Sequence, residues 1–171
     1  SIFNAMIAPL TPHTIRGVIW YQGEFNSPRA WQYRFAFPLM IRDWRAQWRQ
    51  GDFPFYFCQL PQFNVKIPKP VESPWAELRE SQVKTLSEPR TGMAVLIDTG
   101  ESADIHPREK RPAGERLAAL ALANDYGRTL PHLSPLYDSM SVEGGKIRVR
   151  FQNADGGLVA RPVPETYVVK S

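Results

Sequence analysis

Two short stretches carry the polar residues that could do chemistry. "GVIWYQGEFN", residues 17–26, begins as an apolar run and ends on Gln22, Glu24 and Asn26, while "DTGESADIHPREK", residues 98–110, holds Asp104 and His106 with Pro107 directly behind the histidine. A histidine beside a carboxylate is what a general base needs: the ring titrates near neutrality, and an anion fixes its tautomer and stabilises the imidazolium. The same pair also fits a polar surface loop, so the residues alone leave both readings open. Metal chemistry is not expected, because the three histidines, His13, His106 and His132, have no two at ligand spacing and no partner cysteine.

The elements that must position these residues follow from periodicity. Residues 17–22 form a short apolar run of the buried-strand type, and residues 28–48 place Phe37, Ile41, Trp44 and Trp48 at helical spacing. Ser27 followed by Pro28 reads as a helix start, and Pro38 is expected to kink or split that helix. A second strand is expected over 55–60, then a helix with Trp75, Leu78, Gln82 or Val83, and Leu86 on one face, then a third strand over 93–97. A third helix spans "PAGERLAALALANDYG", opened by Pro112 and stopped by Gly127. Three strand–helix units in succession predict an α/β fold with parallel strands and helices on both faces. In such sheets ligands sit outside the carboxyl ends of the strands. Gln22 and Glu24 fall at one such end and the His106 loop at another.

Beyond Pro131 the texture changes. "GGKIRVRFQN" and "GLVARPVPETYVV" alternate apolar with polar residues and are joined by glycine turns, as antiparallel strands with one wet face are. The chain therefore divides into residues 1–131 and a β-rich segment over 132–171, with the boundary between 131 and 140.

Composition bounds the function. A hydrophobic share of 43% with 12% aromatic residues is globular, and the net charge of +4 comes without any block of like charge, so nucleic acid is not an expected partner. There is no run long and apolar enough for a membrane span and no leader of the charged-then-apolar kind. The single cysteine, Cys58 in "PFYFCQL", reads as a small buried residue. Both ends read as cuts in a longer chain: Ser1 is no initiator, and "RPVPETYVVKS" stops inside an expected strand.

The stretches "NAMIAPLTPHTIRGVIWYQGE", "WAELRESQ" and "MAVLIDTGESADIHPREKRPAGERLAALAL" resemble, in order and spacing, the carboxy-terminal part of the catalytic domain of sialate O-acetylesterases, a family of SGNH (GDSL-like) hydrolases similar to certain acetyl xylan esterases. The resemblance covers roughly residues 3–151, and "SPLYDSMSVEGGKIRVRF" looks like the start of the family's β-rich region. It implies a partial three-layer SGNH-type parallel sheet and hydrolysis of acetyl esters on sialic acid or other glycans by a serine, a histidine and an acid, without metal or organic cofactor. His106 would be the base, and Gln22, or the N–H groups beside it, would bind the oxyanion. For the acid, many relatives use a residue three before the histidine, here Ala103. Asp104 stands two before it, while some acetyl xylan esterases use the glutamate that here is Glu24. Asp104 is favoured, and Glu24 then favours the start of the following helix by its charge. The resemblance also points to a periplasmic or secreted setting.

Other matched positions have structural readings. Trp75, Arg79 and Gln82 share one helical face and are expected to pack and anchor loops, Arg116 to brace a loop, and Trp20 and Tyr21 to lie in the core. Gln59 and Asn64 could bond a sugar. Phe25 replaces the serine common after "QGE" in the family.

The nucleophile is the main departure. Ser27, Ser73, Ser81, Ser87 and Ser102 all lie outside any strand-to-helix nucleophile turn, so the serine is expected on an amino-terminal segment absent from this chain, possibly on a second chain. Without the strands of that segment the sheet should present an unpaired edge and an uncovered apolar face. The alternative is a carbohydrate-binding or interaction protein, or an inactive fragment, that keeps the half-domain without turnover.

Overall fold

The computed structural model describes residues 2–64, 69, 71–154 and 156–158. Its centre is a parallel sheet in the order β1 (Val18–Trp20), β2 (Phe55–Cys58), β3 (Thr91–Ala94). β2 is the middle strand because all four of its residues can be buried, two on each face, which is how a strand covered on both sides must read. Phe55 and Phe57 point to one face, where they meet Tyr33, Phe37 and Ile41 of α1 (Ala30–Trp48) and Leu78 of α2 (Pro74–Lys84). Tyr56 and Cys58 point to the other, where Ala113, Leu117 and Leu120 of α3 (Arg111–Asn124) close over them. The result is the expected three-layer α/β arrangement. Phe57 is fully buried and stacks edge-on to Phe37 at 5.1 Å.

Local rules were overridden in three places. α1 continues through Pro38 without dividing. Pro38 is itself buried, between turns whose apolar residues are pinned to the sheet, and that packing outweighs the lost backbone bond. Ser27 and Pro28 lie inside a tight helical turn, Glu24–Arg29, so α1 starts only at Ala30 and Glu24 heads that turn rather than α1. α3 ends at Asn124, and Gly127, at φ +63, instead lets the Arg128 N–H reach the Leu122 carbonyl at 2.9 Å. β3 pairs two residues earlier than expected, although Val95 and Leu96 beyond it stay buried.

β1 lies at the margin of the sheet and pairs, among the described residues, only with β2. α3 packs on β2 and β3, and on that face of β1 Ile19 is 70% exposed. A separate antiparallel hairpin joins β4 (Leu136–Glu143) to β5 (Lys146–Gln152) through Gly144 and Gly145, whose φ values of +54 and +80 suit a two-residue turn that only glycine adopts readily. Most of the other expected strand, "GLVARPVPETYVV", lies outside the described residues.

Candidate active site

The turn after β1 is built around Gly23. It is buried at φ +145, and a Cβ there would come within 3.0 Å of Leu78 Cδ2 and 3.3 Å of Gln82 Nε2, so any other residue would strain the backbone and push these side chains aside. Gln22 and Glu24 flank it. The Gln22 amide donates to Asn26 Oδ1 at 2.6 Å and its Oε1 accepts from the Tyr33 hydroxyl at 3.2 Å. Burial raises the Tyr33 pKa, so the phenol remains a donor. Gln22 is therefore held in one orientation, and its amide nitrogen keeps a second N–H for another acceptor.

The loop after β3 is fixed at several points. Arg116 of α3 donates both its terminal nitrogens to Asp98, at 2.6 and 2.7 Å, and also bonds the Val95 carbonyl. Gly100 lies against the backbone of Gln62, in the loop after β2, where the Gln62 N–H bonds the Thr99 carbonyl at 2.7 Å and the Gln62 amide donates to Ser102 Oγ at 3.2 Å. A Cβ on Gly100 would collide with the Gln62 carbonyl oxygen and approach its nitrogen to 2.7 Å, at φ +110. Gly100→Ala is therefore expected to cost about 3 kcal/mol or more in urea unfolding. Gly51→Ala, with φ +69 but open space around it, is expected to cost only about 1–2 kcal/mol. Equal shifts of the two midpoints would show that the Gly100 approach constrains nothing.

α2 holds the strand end between these loops. Gln82, fully buried, donates to the Cys58 carbonyl at 3.1 Å and accepts from the Leu60 N–H at 3.0 Å. Arg79 bonds the Leu60 and Pro61 carbonyls, each at 2.8 Å, and Trp75 Nε1 bonds Pro61 at 2.9 Å. The helical face expected to anchor a loop thus satisfies the backbone where β2 runs out.

At this edge lies a cavity of about 540 Å³ lined by Tyr21, Gln22, Glu24, Phe25, Ile105, His106 and Lys110. The structure brings together Gln22, Glu24 and His106. Asp104 stands beside them: its Oδ1 accepts the His106 backbone N–H at 2.8 Å and lies 3.8 Å from Nδ1, too far for a hydrogen bond to the ring. The His106 side chain is 88% exposed, so the base faces open space. Burial and then the Glu24 charge push the Tyr21 phenol up to about 12.

Sequence reasoning missed part of the lining. Tyr21 packs against the α3 face as expected of a core residue, yet also lines the cavity. Lys110 arrives by way of the α3 start, and its place four residues after His106 was the available signal. Gln59 is buried with its amide on the Arg79 carbonyl, and neither it nor Asn64 lines the cavity.

A family model described as carbohydrate esterase, sialic acid-specific acetylesterase, matches residues 2–121. Mouse sialate O-acetylesterase is 36% identical over 152 residues, which are 79% of this chain and 28% of the mouse protein. The human sialate O-acetylesterase is 33% identical over 160 residues, 82% of this chain and 30% of its own length. The crystal structure of a carbohydrate acetylesterase from Xanthomonas citri superposes with a TM-score of 0.80 at 47% identity, covering 88% of this chain and 35% of that one. The chain thus spans less than a third of the curated relatives it matches.

Proposed function

Because the chain belongs to the family of sialic acid-specific acetylesterases among the carbohydrate esterases, we propose that it supplies the base and oxyanion half of a site that removes O-acetyl groups from sialic acid or another acetylated glycan. The observation that carries this reading is the shared cavity in which His106, from the loop after β3, meets Gln22 and Glu24, from the turn after β1.

The chemistry follows from the groups present. A serine hydroxyl attacks the acetyl carbonyl carbon while His106 takes its proton, and the oxyanion that forms is met by the second N–H of Gln22 or by backbone N–H groups of the turn. Collapse expels the sugar oxygen, which His106 protonates, and leaves an acetyl-serine. Water, deprotonated by His106, then releases acetate and restores the serine. Asp104, anchored by the His106 backbone, supports the imidazolium. The mechanism calls for no metal or organic cofactor.

The serine comes from outside the chain in this proposal, on a preceding segment or a second polypeptide. Among the described residues, no serine lines the cavity. Ser81 is buried and bonds the Ala30 and Glu77 carbonyls, Ser73 caps α2, and Ser102 Oγ is taken by the Gln62 amide. Assayed alone, the 171-residue chain is expected to hydrolyse an aryl acetate no faster than its Ser102→Ala variant, and the serine-bearing segment should confer turnover. Activity of the chain alone that vanishes in Ser102→Ala would place the nucleophile here and overturn the proposal.

A further inference from the structure

The cavity contains a cation that ester hydrolysis leaves without a task. Lys110 lines it beside His106, with its Nζ 4.9 Å from the centre of the Tyr21 ring. Two other cations of this region are paired, Arg111 with Glu115 at 2.6 Å and Arg116 with Asp98, whereas Lys110 has no carboxylate ion-pair partner among the described residues. The ring holds the ammonium in place through the attraction of its π face for a cation, without cancelling its charge.

We propose that Lys110 is a specificity-determining residue that receives the carboxylate of an acidic sugar in this cavity. The inference rests on the esterase reading for the acetyl group that is removed, though not for the binding itself. A neutral sugar offers an ammonium only hydroxyl and ring oxygens, whereas the carboxylate of a sialic acid is ionised at neutral pH and gives a compact cation on a flexible stem a stronger, charge-paired acceptor. Tyr21 and Phe25, the latter 87% exposed, supply the apolar surfaces for the faces of a sugar ring. A cavity of about 540 Å³ is within the range of small-molecule sites. Glu24, of opposite charge, lines the same cavity, so the competing role for Lys110 is to offset Glu24.

Titration of the chain with free sialic acid and with its carboxyl methyl ester, followed by NMR or calorimetry, separates the two roles. The acid is expected to bind at least about 10-fold more tightly than the methyl ester, by the usual worth of a hydrogen bond between charged groups. Lys110→Gln should close that gap to under about twofold, Lys110→Arg should keep most of it, and added salt should narrow it in the unaltered chain. Lys110 is exposed, and circular dichroism checks that the variants stay folded. Equal binding of acid and ester, binding of neither, a gap that survives Lys110→Gln, or a loss in Lys110→Gln that is equal for both ligands would each overturn the inference. The esterase reading fails separately: absence of ester hydrolysis with the serine-bearing segment present leaves the binding gap intact, and a missing gap with hydrolysis intact sinks only the role of Lys110.

Discussion

His106→Ala is expected to lower kcat on an aryl acetate by at least about 10³-fold in protein that includes the serine-bearing segment, with KM little changed. Removal of one triad member leaves only binding and oxyanion stabilisation to speed the reaction. The structure makes the experiment readable: the His106 side chain is 88% exposed, with its Nδ1 3.8 Å from Asp104, so its loss removes a proton acceptor and little packing. The loop it sits on is fixed through other residues, chiefly Arg116 and Gln62. A drop under tenfold would take His106 out of the mechanism.

The second large effect concerns the acid. Asp104→Asn is expected to preserve the fold and to cost about 10² to 10⁴ in kcat, whereas Glu24→Gln should cost much less. The Asp104 carboxylate is already held by the His106 backbone N–H at 2.8 Å, which fixes its oxygens near the ring, 3.8 Å from Nδ1. An amide in its place can donate to the ring and stabilise the wrong tautomer, as in serine-protease triads. Glu24 acts on its surroundings through charge, raising the phenol of Tyr21 and the thiol of Cys58 after burial has done the larger part. The reverse ranking on an acetyl ester, with circular dichroism unchanged, would give the acid role to Glu24. Small and equal losses would remove both.

How much could be read beforehand depended on whether a signal was periodic. The buried run of β2, the apolar face of α1 and the anchoring face of Trp75, Arg79 and Gln82 were legible because each repeats at the spacing of its element. The convergence of two polar loops on one sheet edge was legible from topology. Pro38 misleads because a local rule takes no account of the sheet that pins the turns of α1 before and after it. The contact of Gly100 with Gln62 was invisible, since two loops that meet once leave no periodic trace. The Asp104–His106 spacing showed that a carboxylate lies beside the histidine, but not that it grips the backbone in preference to the ring. An apolar run reads Tyr21 as core alone, whereas a residue at the end of a strand can serve packing and cavity together.

The middle strand also gives the protein a built-in clock. Cys58, the only cysteine, is fully buried between the layers, with its carbonyl bound by Gln82, and burial pushes its thiol up to about 12. A thiol reagent needs the exposed thiolate, so labelling proceeds only through molecules in which α3 has lifted from the sheet. The rate of modification therefore counts those openings. Because the position is one residue from where Gln59 and Leu60 lead into the loops, it reports whether the carboxyl edge of the sheet opens together with the core or ahead of it.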